Sequence, residues 1–519
     1  MNILSAREMQ EADRHAIEVL KIPSIQLMEN AAAAVVRVVR KRHASPVSVA
    51  VVCGKGNNGG DGLAVARLLQ QGGWQARALL LDASAELKPD PAVNWKRAVE
   101  AGVTCLENVN PAGLARHMSE CDLVLDALFG TGLTKPLEGR YAEAVEAMNR
   151  SKRHIGAIDV PSGLGSDSGE LIGPAVRAAW TVALAALKHC HVLEPAREYC
   201  GTVHAADIGI PAPSQLSLLR SREAASGFPL RKAQANKGTF GHTVIVAGST
   251  GKSGAAYMAG KSALRAGAGL VTVASPSFVQ PAIAAHGPEI MTFPVSGDPH
   301  NFSVECVTDL LRFLEDKQAM AVGPGMGQQG TSLEFLRELR ARCALPAVLD
   351  ADALNLAAQD LTMLARRKPE TTVLTPHPGE MARLLGATTQ SVQSDRVAAA
   401  RKLAQETGCI VVLKGYRTVI AAPSGRAFIN PTGCHALASA GTGDILTGAV
   451  AGLLAQGAAP LQASLTGVYT HGFAGNLFEQ QYPNQALNAM DIPAIWNRAV
   501  HEICHGGIES DYLGFHLPQ

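Results

Sequence analysis

The first half of the chain carries acidic and amide side chains where three hydrophobic runs end. The segment 54–62 reads GKGNNGGDG and follows the run VSVAVVC, Asp126 closes the run LVLD, and Asp159 precedes VPSGL. In an open parallel sheet, ligands bind outside the carboxyl ends of the strands, so we expect these three loops to converge. Carboxylate, amide and hydroxyl oxygens together suit a hard cation or a polar ligand. Either strand-end aspartate alone could instead cap a turn or a helix.

The glycine-rich segment also satisfies the dinucleotide pattern GxGxxG with Gly54, Gly56 and Gly59, and Asp82 ends the next predicted strand. Such glycines let backbone N–H groups approach a pyrophosphate at a helix N-terminus. The pattern is weak in a chain with 51 glycines. Its two asparagines and Asp61 are more informative, because an ordinary dehydrogenase keeps this loop almost bare of side-chain oxygens.

In the second half, the sequence AGTGD at 440–444 opens a long apolar helix, shortly after NPTG at 430–433. Backbone N–H groups of Gly441, Thr442 and Gly443 could form an anion hole for a transferring phosphoryl group, and Asp444 could accept the proton of the attacking hydroxyl. The alternative is a helix-capping aspartate after a glycine turn.

Two other motifs resemble known sites but depart from them. GSTGKS at 248–253 lacks the first glycine of a phosphate-binding P-loop, because Val246 stands there. We interpret it as a turn that packs a helix on the sheet, where Ala255 or Ala256 lets a ligand approach. HEICH at 501–505 matches the zinc motif HExxH, but Ile508 replaces the glycine of the extended pattern and only a short tail follows, which disfavours zinc catalysis.

Composition bounds the remaining possibilities. The 519 residues carry 46 basic and 45 acidic side chains, so we expect no nucleic-acid or membrane partner held by charge. The 47% hydrophobic content supports two or three domains. The ten cysteines form no CxxC pair and the N-terminus lacks a secretory signal, so we expect a cytoplasmic protein. The uncharged stretch 445–469 contains Gln456 and Pro460, which favours buried helices over a membrane span.

The elements that position these residues alternate between strands and helices. In the first half VSVAVVC, ARALLLD, CDLVLDALF, HIGAIDVP and TVALAAL are predicted strands, and in the second half HTVIVAG, GLVTVAS, AMAVGPG, PAVLDAD, ETTVLTP and CIVVLKG. Such alternation predicts the α/β class, with parallel sheets covered by helices on both faces. The pattern lapses near 210–238, so we predict a domain over 1–212, a linker over 213–230, a second domain over 231–505 and a tail over 506–519.

With GNNGGDG, DALFGTGL and DVPSGL in this order, the first domain resembles the NAD(P)H-hydrate epimerase domain, which has a Rossmann-like fold. The resemblance implies that Asp159 contacts the hydrated nucleotide and is the general acid/base. It implies a K⁺ ion bound by Asn58, Asp126 and Ser162. The remaining substrate contacts it implies are Asn57, Asn58, Gly59, Gly60, Asp61, Gly130, Thr131, Gly132, Leu133, Thr134, Lys135 and Pro136.

With DADALN, TPHPGE and VVLKGYRT preceding NPTG and GTGD, residues 231–496 resemble the ADP-dependent NAD(P)H-hydrate dehydratase of the ribokinase-like superfamily. Asn236 departs from the usual histidine of the family's N-terminal signature. The resemblance implies substrate contacts at Ala255 or Ala256, Gly325, His377 and Asp444, and Mg²⁺ bridging the nucleotide phosphates. The residues implied to hold ADP or AMP are Lys414, Gly415, Tyr416, Arg417, Thr418 and Gly443.

Together the two resemblances predict a bifunctional enzyme that epimerises hydrated NADH and NADPH and dehydrates the S epimer with conversion of ADP to AMP and phosphate. We also expect a homo-oligomer. One alternative keeps the ribokinase-like fold but makes the second half a kinase of a vitamin-precursor alcohol. Another makes the first half a non-catalytic binding module, against which Asn58, Asp126, Asp159 and Ser162 argue because a scaffold does not need them together. The choice between ADP and ATP, and between NADH and NADPH hydrates, stays open.

Overall fold

The computed structural model describes residues 1–365 and 368–518, and these divide into two compact units. The first unit comprises Met1–Ser217 together with the chain from Glu509 onward, and the second comprises Leu218–Ile508. Among the described residues, none of the helices has both the length and the apolar character needed to cross a membrane.

The first unit contains a predominantly parallel αβ arrangement. Its helices are α1 (Ala6–Glu18), α2 (Ser24–Arg42), α3 (Asn57–Gln71), α4 (Pro89–Glu100), α5 (Pro111–Ser119) and α6 (Gly139–Arg150). Its strands are β1 (Ile3–Leu4), β2 (Ser48–Cys53), β3 (Gln75–Leu80), β4 (Thr104–Leu106), β5 (Leu123–Ala127), β6 (His154–Ile158), β7 (Trp180–Leu184), β8 (Leu187–Lys188) and β9 (Thr202–Ala206). The main sheet has the order β9-β7-β6-β5-β2-β3-β4, and β1 pairs separately with β8.

The centre of this sheet is β2 and β5, whose residues from Val49 to Cys53 and from Leu123 to Ala127 are buried. The strands of this sheet pair in parallel, so the carboxyl ends of β2, β5 and β6 lie at one edge. Buried β-branched and aliphatic runs are typical of strands covered on both faces. The candidate loops of the first half therefore converge, as their sequence positions predict.

The second unit is built around a larger sheet. Its helices are α7 (Ser221–Ala225), α8 (Ser253–Arg265), α9 (Gln280–His286), α10 (Val307–Leu314), α11 (Ser332–Arg342), α12 (Asp352–Ala357), α13 (Thr362–Ala365), α14 (Pro378–Leu385), α15 (Thr389–Ser394), α16 (Arg396–Thr407), α17 (Thr442–Ala455), α18 (Pro460–Gln481) and α19 (Asp491–His505). Its strands are β10 (Leu216–Leu218), β11 (His242–Val246), β12 (Leu270–Pro276), β13 (Met291–Val295), β14 (Ala319–Val322), β15 (Ala347–Leu349), β16 (Thr372–Leu374), β17 (Ile410–Leu413), β18 (Val419–Ala421) and β19 (Ala427–Ile429).

These strands follow the order β10-β19-β18-β17-β16-β15-β14-β11-β12-β13. The strands from β11 to β17 pair in parallel, whereas β18 pairs antiparallel with β17 and β19. Helices α17 and α18 are buried along most of their length, so the long uncharged stretch forms core helices of this unit. The N-terminus of α17 lies beyond the strand ends that carry DADALN and TPHPGE.

The structure confirms the α/β class and places a strand in every run predicted to be one. The two units divide between Ser217 and Leu218, inside the predicted linker 213–230, and this segment contains β10 and α7. The segment predicted as a tail contains the helix Ile508–Asp511 and the strand Phe515–His516, which pairs with β9 of the first unit. Helix α3 begins at Asn57, so the polar residues expected in a loop occupy its first turns.

Candidate functional site

A cavity of about 610 Å³ opens at the carboxyl edge of the first unit's sheet. Of the residues predicted there, eight line it: Asn57, Asn58, Asp61, Gly130, Thr131, Gly132, Leu133 and Asp159. The five others predicted as substrate contacts, Gly59, Gly60, Thr134, Lys135 and Pro136, do not line it. A volume of this size is typical of pockets for small ligands and cofactors.

Gly59 and Gly60 serve packing. A Cβ at Gly59 would lie 1.7 Å from the carbonyl oxygen of Gly54, and one at Gly60 would lie 2.8 Å from the sulfur of Met28. Only glycine therefore lets α3 start so close to the preceding turn. Asp82, the acidic residue of the dinucleotide pattern, is buried and accepts hydrogen bonds from Arg140 and Tyr141, so it is already engaged by protein groups.

Asp159 occupies a constrained position just after β6. Its backbone has φ 65°, the left-handed region that costs a non-glycine residue free energy and is frequent at functional sites. One carboxylate oxygen accepts hydrogen bonds from Lys188 Nζ at 2.5 Å and from the backbone N–H of Leu184 at 3.2 Å. Lys188 is 1% exposed and its Nζ also donates to the carbonyl of Leu184 at 2.7 Å. Asp159 therefore has one oxygen fixed by a buried ammonium.

A buried histidine fixes the backbone of the same loop. His191 Nδ1 accepts the backbone N–H of Lys188 at 3.0 Å, and His191 Nε2 donates to the carbonyl of Asp159 at 2.8 Å. Burial lowers the pKa of His191 to about 3, so the ring stays neutral in this role. His191 thus fixes the backbone of both members of the ion pair, Asp159 and Lys188.

Asp126 and Ser162 form a second buried pair next to the cavity. Asp126 accepts hydrogen bonds from Ser162 Oγ at 2.6 Å, from the Ser162 backbone N–H at 2.7 Å and from the backbone N–H of Leu128 at 3.2 Å. Burial raises the pKa of Asp126 to about 6, against the lowering effect of these hydrogen bonds. Both polar side-chain atoms of Asn58 are buried without a hydrogen-bond partner among the described residues. Such orphaned atoms are rare and call for a partner that is not protein.

The three loops meet at Gly130. A Cβ added there would lie 3.3 Å from Asp159 Oδ2 and 3.5 Å from Asn58 Oδ1. The orphaned amide and the free carboxylate oxygen therefore face the same small space. Any larger residue at this position would fill it.

Sequence reasoning missed Lys188 and Asp13, which both line the cavity. Asp13 comes from α1, where Met9, Asp13 and Ile17 follow one another at intervals of four residues on the face toward the cavity. Burial and the nearby Asp159 raise the pKa of Asp13 to about 6. The pKa of Asp61 is raised well above its usual range, first by burial and then by Asp159. The periodicity of α1 was the one available signal, and it reads equally well as an ordinary packing face.

In the second unit, Asp444 lies in the first turn of α17, behind Gly441 with φ 88°. Burial first, and then the neighbouring Asp350, raise the pKa of Asp444 to about 7. A carboxyl with a pKa near neutrality is well suited to act as a general base. Thr442, predicted in the anion hole, directs its hydroxyl to the carbonyls of Leu437 and Ser439, so only its backbone N–H can serve there.

A buried ion pair supports this helix start. Asp350 is 1% exposed and accepts hydrogen bonds from Lys414 Nζ and from Thr447 Oγ1, each at 2.7 Å. A Cβ at Gly443 would lie 3.3 Å from Lys414 Nζ. Burial lowers the pKa of Lys414, but Asp350 and Glu380 raise it by more, so the ammonium stays charged. The structure thus places a cation beside Gly443, one of the residues predicted to form an anion hole.

The neighbouring aspartate holds the lysine of the GSTGKS turn. Asp352 accepts hydrogen bonds from Lys252 Nζ at 3.2 Å, from the Gly327 backbone N–H at 2.9 Å and from Gln328 Nε2 at 2.7 Å. Ala351, between the two aspartates, has φ 50°. With this strained residue between them, Asp350 binds Lys414 and Asp352 binds Lys252.

The residues predicted to contact the substrate in this unit differ in exposure and in their neighbours. A Cβ at Gly325, which has φ 59°, would lie 3.3 Å from the Cβ of Ala255, so these two residues adjoin. Ala256 is fully buried against Gly248, which leaves Ala255 as the accessible one of the two alternatives. His377 caps α14: its Nδ1 accepts the N–H of Gly379 at 3.0 Å while half of its side chain stays exposed.

The segment KGYRT is held by a half-buried arginine of α16. Arg396 donates to the carbonyls of Tyr416 at 2.5 Å, Leu413 at 3.1 Å and Lys414 at 3.2 Å. Arg417, predicted to contact the nucleotide, is 6% exposed and donates inward to the carbonyl of Pro431 at 2.5 Å. Its side chain is therefore structural, whereas Tyr416 is 50% exposed and available to a ligand. Thr418 Oγ1 donates to the carbonyl of Gly415.

The HEICH segment lies at the end of α19. The rings of His501 and His505 are 4.0 Å apart, and His505 Nδ1 bonds to the carbonyl of His501. Over residues 1–365 and 368–518, no three His, Cys, Asp or Glu side chains are grouped as metal ligands. The ten cysteines are free thiols, most of them buried.

Two family models match the chain. One is described as NAD(P)H-hydrate dehydratase and matches residues 243–498; the other is described as YjeF-related protein N-terminus and matches residues 24–190. The two matches fall in different structural units.

Curated relatives match both units in one alignment. A bifunctional NAD(P)H-hydrate repair enzyme of Moorella thermoacetica is 40% identical, with 95% of each chain covered. The enzyme of the same description from Escherichia coli K12 is 32% identical and covers 96% of this chain and 93% of its own. A solved ribokinase-like superfamily protein of Enterococcus faecalis is 25% identical, with a TM-score of 0.50, and covers 56% of this chain and 97% of its own.

Proposed function

The chain belongs to the bifunctional NAD(P)H-hydrate repair enzymes, and from this premise we propose how its two units divide the reaction. The first unit interconverts the R and S epimers of hydrated NADH and NADPH. The second dehydrates the S epimer and converts ADP to AMP and phosphate. The observation that carries this division is that one chain, aligned with bifunctional relatives over almost its whole length, places a built polar site in each of two separate units.

In the first unit, the substrate's hydrated ring enters the cavity at the carboxyl edge of the sheet. Asp159 is the group that exchanges protons with it, since one of its oxygens is fixed by Lys188 and the other faces the space in front of Gly130. The backbone of 130–133 and the first turns of α3 contact the nucleotide, where N–H groups and the helix dipole favour its phosphates.

A potassium ion fits the space beside these residues. Asn58 carries a buried amide oxygen without a protein partner, and Asp126 and Ser162 add oxygen donors, the ligand type that hard cations prefer. When bound, K⁺ supplies a fixed positive charge near the reacting ring. Asn58→Ala is expected to abolish the difference between epimerase rates measured in K⁺ and in Na⁺, and an unchanged K⁺ dependence would contradict this site.

In the second unit, Asp444 accepts the proton of the substrate's hydroxyl as that oxygen attacks the terminal phosphoryl group of ADP. The bond between this phosphorus and the oxygen of AMP breaks. The new phosphate ester then leaves as inorganic phosphate, a proton is lost from the neighbouring ring carbon, and the double bond of NAD(P)H is restored. The N–H groups of 441–443 and the Lys414 ammonium stabilise the charge of the phosphoryl group in transfer.

The nucleotide lies along the backbone of 414–418 with Tyr416 exposed beside it. Mg²⁺ would be held mainly by the ADP phosphates, because Asp350 and Asp352 already pair with lysines. When bound, it neutralises phosphate charge. The hydrated nucleotide lies against the region formed by Ala255, Gly325 and His377.

The test is to give the purified protein both NADH-hydrate epimers with K⁺ and Mg²⁺, with and without ADP, and to follow the absorbance of the reduced nicotinamide. Complete recovery that requires ADP and outpaces spontaneous epimer exchange is expected. Recovery that stops at the fraction of one epimer would contradict the role of the first unit. No recovery with ADP or ATP would contradict the role of the second and favour the vitamin-precursor kinase.

A further inference from the structure

Two of the carboxyls that line the cavity of the first unit lie in contrasting environments. Asp159 forms an ion pair with the buried Lys188. Asp13 lines the same cavity, and its carboxyl takes part in no hydrogen bond or ion pair within the described part of the chain. A carboxylate bonded to an ammonium favours its charged form, whereas a carboxyl without a partner in a partly buried site favours its neutral form.

Asp13 is firmly positioned even though its carboxyl is unengaged. Helix α1 begins with a capping box in which Ser5 and Glu8 satisfy each other's backbone N–H groups. Met9 and Ile17 flank Asp13 on the cavity side of the helix, and Ala12 and Ala16 are buried behind it. The carboxyl therefore projects from a rigid element.

The charges around Asp13 support this contrast. Burial and the charge of Asp159 raise its pKa to about 6, and Lys188 lowers it in part. The other ionisable groups lining the cavity are Asp61 on α3, Lys55, Lys88, Asp90 and Tyr141. Two carboxyls in different environments, one bonded to an ammonium and one without such a partner, are the usual source of a base and an acid in one site.

Epimerisation at the hydrated carbon needs both functions. This carbon bears the hydroxyl and adjoins the ring nitrogen, so protonation lets the hydroxyl leave as water while the nitrogen lone pair forms a C=N bond. Water then adds to the opposite face, and its extra proton must be taken up. One carboxyl therefore has to give a proton and another to accept one.

Resting on the proposed function, we propose that Asp13 is a second catalytic residue of the epimerase unit. Asp13 donates the proton to the departing hydroxyl, and Asp159, held by Lys188, accepts the proton of the incoming water. After one inversion the two carboxyls have exchanged one proton, and transfer through solvent resets them. In the reverse direction their roles are interchanged, as reversibility requires.

The experiment compares full-length Asp13→Asn with Glu18→Gln, a matched carboxyl-to-amide change on the exposed end of the same helix. Without ADP, epimer interconversion is followed chromatographically in ¹⁸O-labelled water. We expect Asp13→Asn to lower kcat by about 100-fold or more with KM within about threefold, and to lower ¹⁸O incorporation in parallel. Glu18→Gln should match the wild type, and all variants should dehydrate the S epimer normally with ADP.

The pH profile separates a catalytic from a structural role. The wild-type epimerase rate should fall as the pH rises through about 6, because the protonated form of Asp13 is lost, and Asp13→Asn should lack this limb. If Asp13→Asn lowers the Tm of the protein, the variant Asp13→Glu replaces it in the test. Asp13→Glu keeps a carboxyl, so it should retain the fall in rate near pH 6 and an epimerase activity within about tenfold of the wild type. An Asp13→Asn rate within twofold of the wild type, or an Asp13→Glu profile without the limb, would overturn the inference. Absence of epimerase activity in the wild type would instead overturn the proposed function.

Discussion

The two sites combine an aspartate with a buried lysine in different ways. In the first unit, Lys188 pairs with Asp159, the residue proposed to exchange protons with the ring. In the second unit, Lys414 pairs with Asp350, and Asp444 carries no ion pair within the described residues. The proposed base of the first unit therefore has a cation bonded to it, whereas the proposed base of the second unit has none among the described residues, and burial raises the pKa of Asp444 to about 7.

The two lysines have different partners because the two proposed reactions need a positive charge in different places. Phosphoryl transfer develops negative charge that a cation at the N-terminus of α17 can stabilise, so Lys414 is turned toward Gly443 and Asp350 neutralises and orients it. Epimerisation transfers no phosphoryl group, and Lys188 is buried with its ammonium bonded to one oxygen of Asp159. In the proposed mechanism, the same pair of residue types thus supports a base in one unit and an anion hole in the other.

The largest effect is expected for Asp444→Asn, which removes the base and preserves the shape of the helix start. Dehydration of the S epimer should fall by about 10³-fold or more, with ADP affinity within about tenfold, because the anion hole remains. Single-turnover recovery of NADH and calorimetric ADP titration measure the two quantities. Unchanged turnover would remove Asp444 from the mechanism.

Asp350→Asn should come next, with a loss of about 100-fold in dehydration. The amide can still accept from Thr447 but no longer neutralises Lys414, so the ammonium loses its orientation toward Gly443. Steady-state kinetics should show the loss mainly in kcat. Asp309→Asn, an exposed carboxyl-to-amide change in α10, is the control, and equal rates in both variants would refute the positioning role.

Lys188→Met tests the other side of the comparison. It removes the buried cation of Asp159 and keeps most of the side-chain volume, so epimerisation should fall by about 30- to 100-fold while dehydration of the S epimer is unaffected. Chromatographic separation of the epimers measures the first rate. If dehydration falls equally, Lys188 supports folding and not the proposed chemistry.

The smallest effect concerns stability. Because the folded pKa of Asp444 is about 7 and its unfolded value near 4, the folded state binds more protons between these values, and this group lowers stability as the pH rises through that range. Asp444→Asn should therefore raise Tm by a few degrees at pH 8 relative to the wild type and by less at pH 4. An equal shift at both pH values would contradict the assigned pKa.

Most of the correct predictions from the sequence came from local motifs. The strands are apolar runs bounded by turns, so both sheets were predicted correctly. The GNNGGDG and GTGD segments are chemically specific at short range, and the residues predicted for each site lie beyond strand ends. Contacts between residues that are distant in the chain could not be predicted from local motifs. Lys188 meets Asp159, and Lys414 meets Asp350, only because parallel strands bring their carboxyl ends together.

Other differences have equally physical causes. The starting point of α3 was missed because asparagine and glycine usually signal a loop, and here tight packing against Gly54 stabilises a helical turn. The strand Phe515–His516 carries too few residues for a pattern and pairs with β9, from which it is more than 300 residues distant in sequence. The family resemblance implied that Arg417 contacts the nucleotide, but its side chain is buried and donates to the carbonyl of Pro431.

The central claim is that the R epimer is repaired only through the first unit. The most direct test supplies pure R epimer with ADP, K⁺ and Mg²⁺ to the wild type and to Asp159→Asn, and the S epimer to both as a control. The wild type should recover NADH from both epimers, and the variant should match it on the S epimer but recover the R epimer only at the spontaneous rate. Recovery of the R epimer by Asp159→Asn at the wild-type rate would contradict the account.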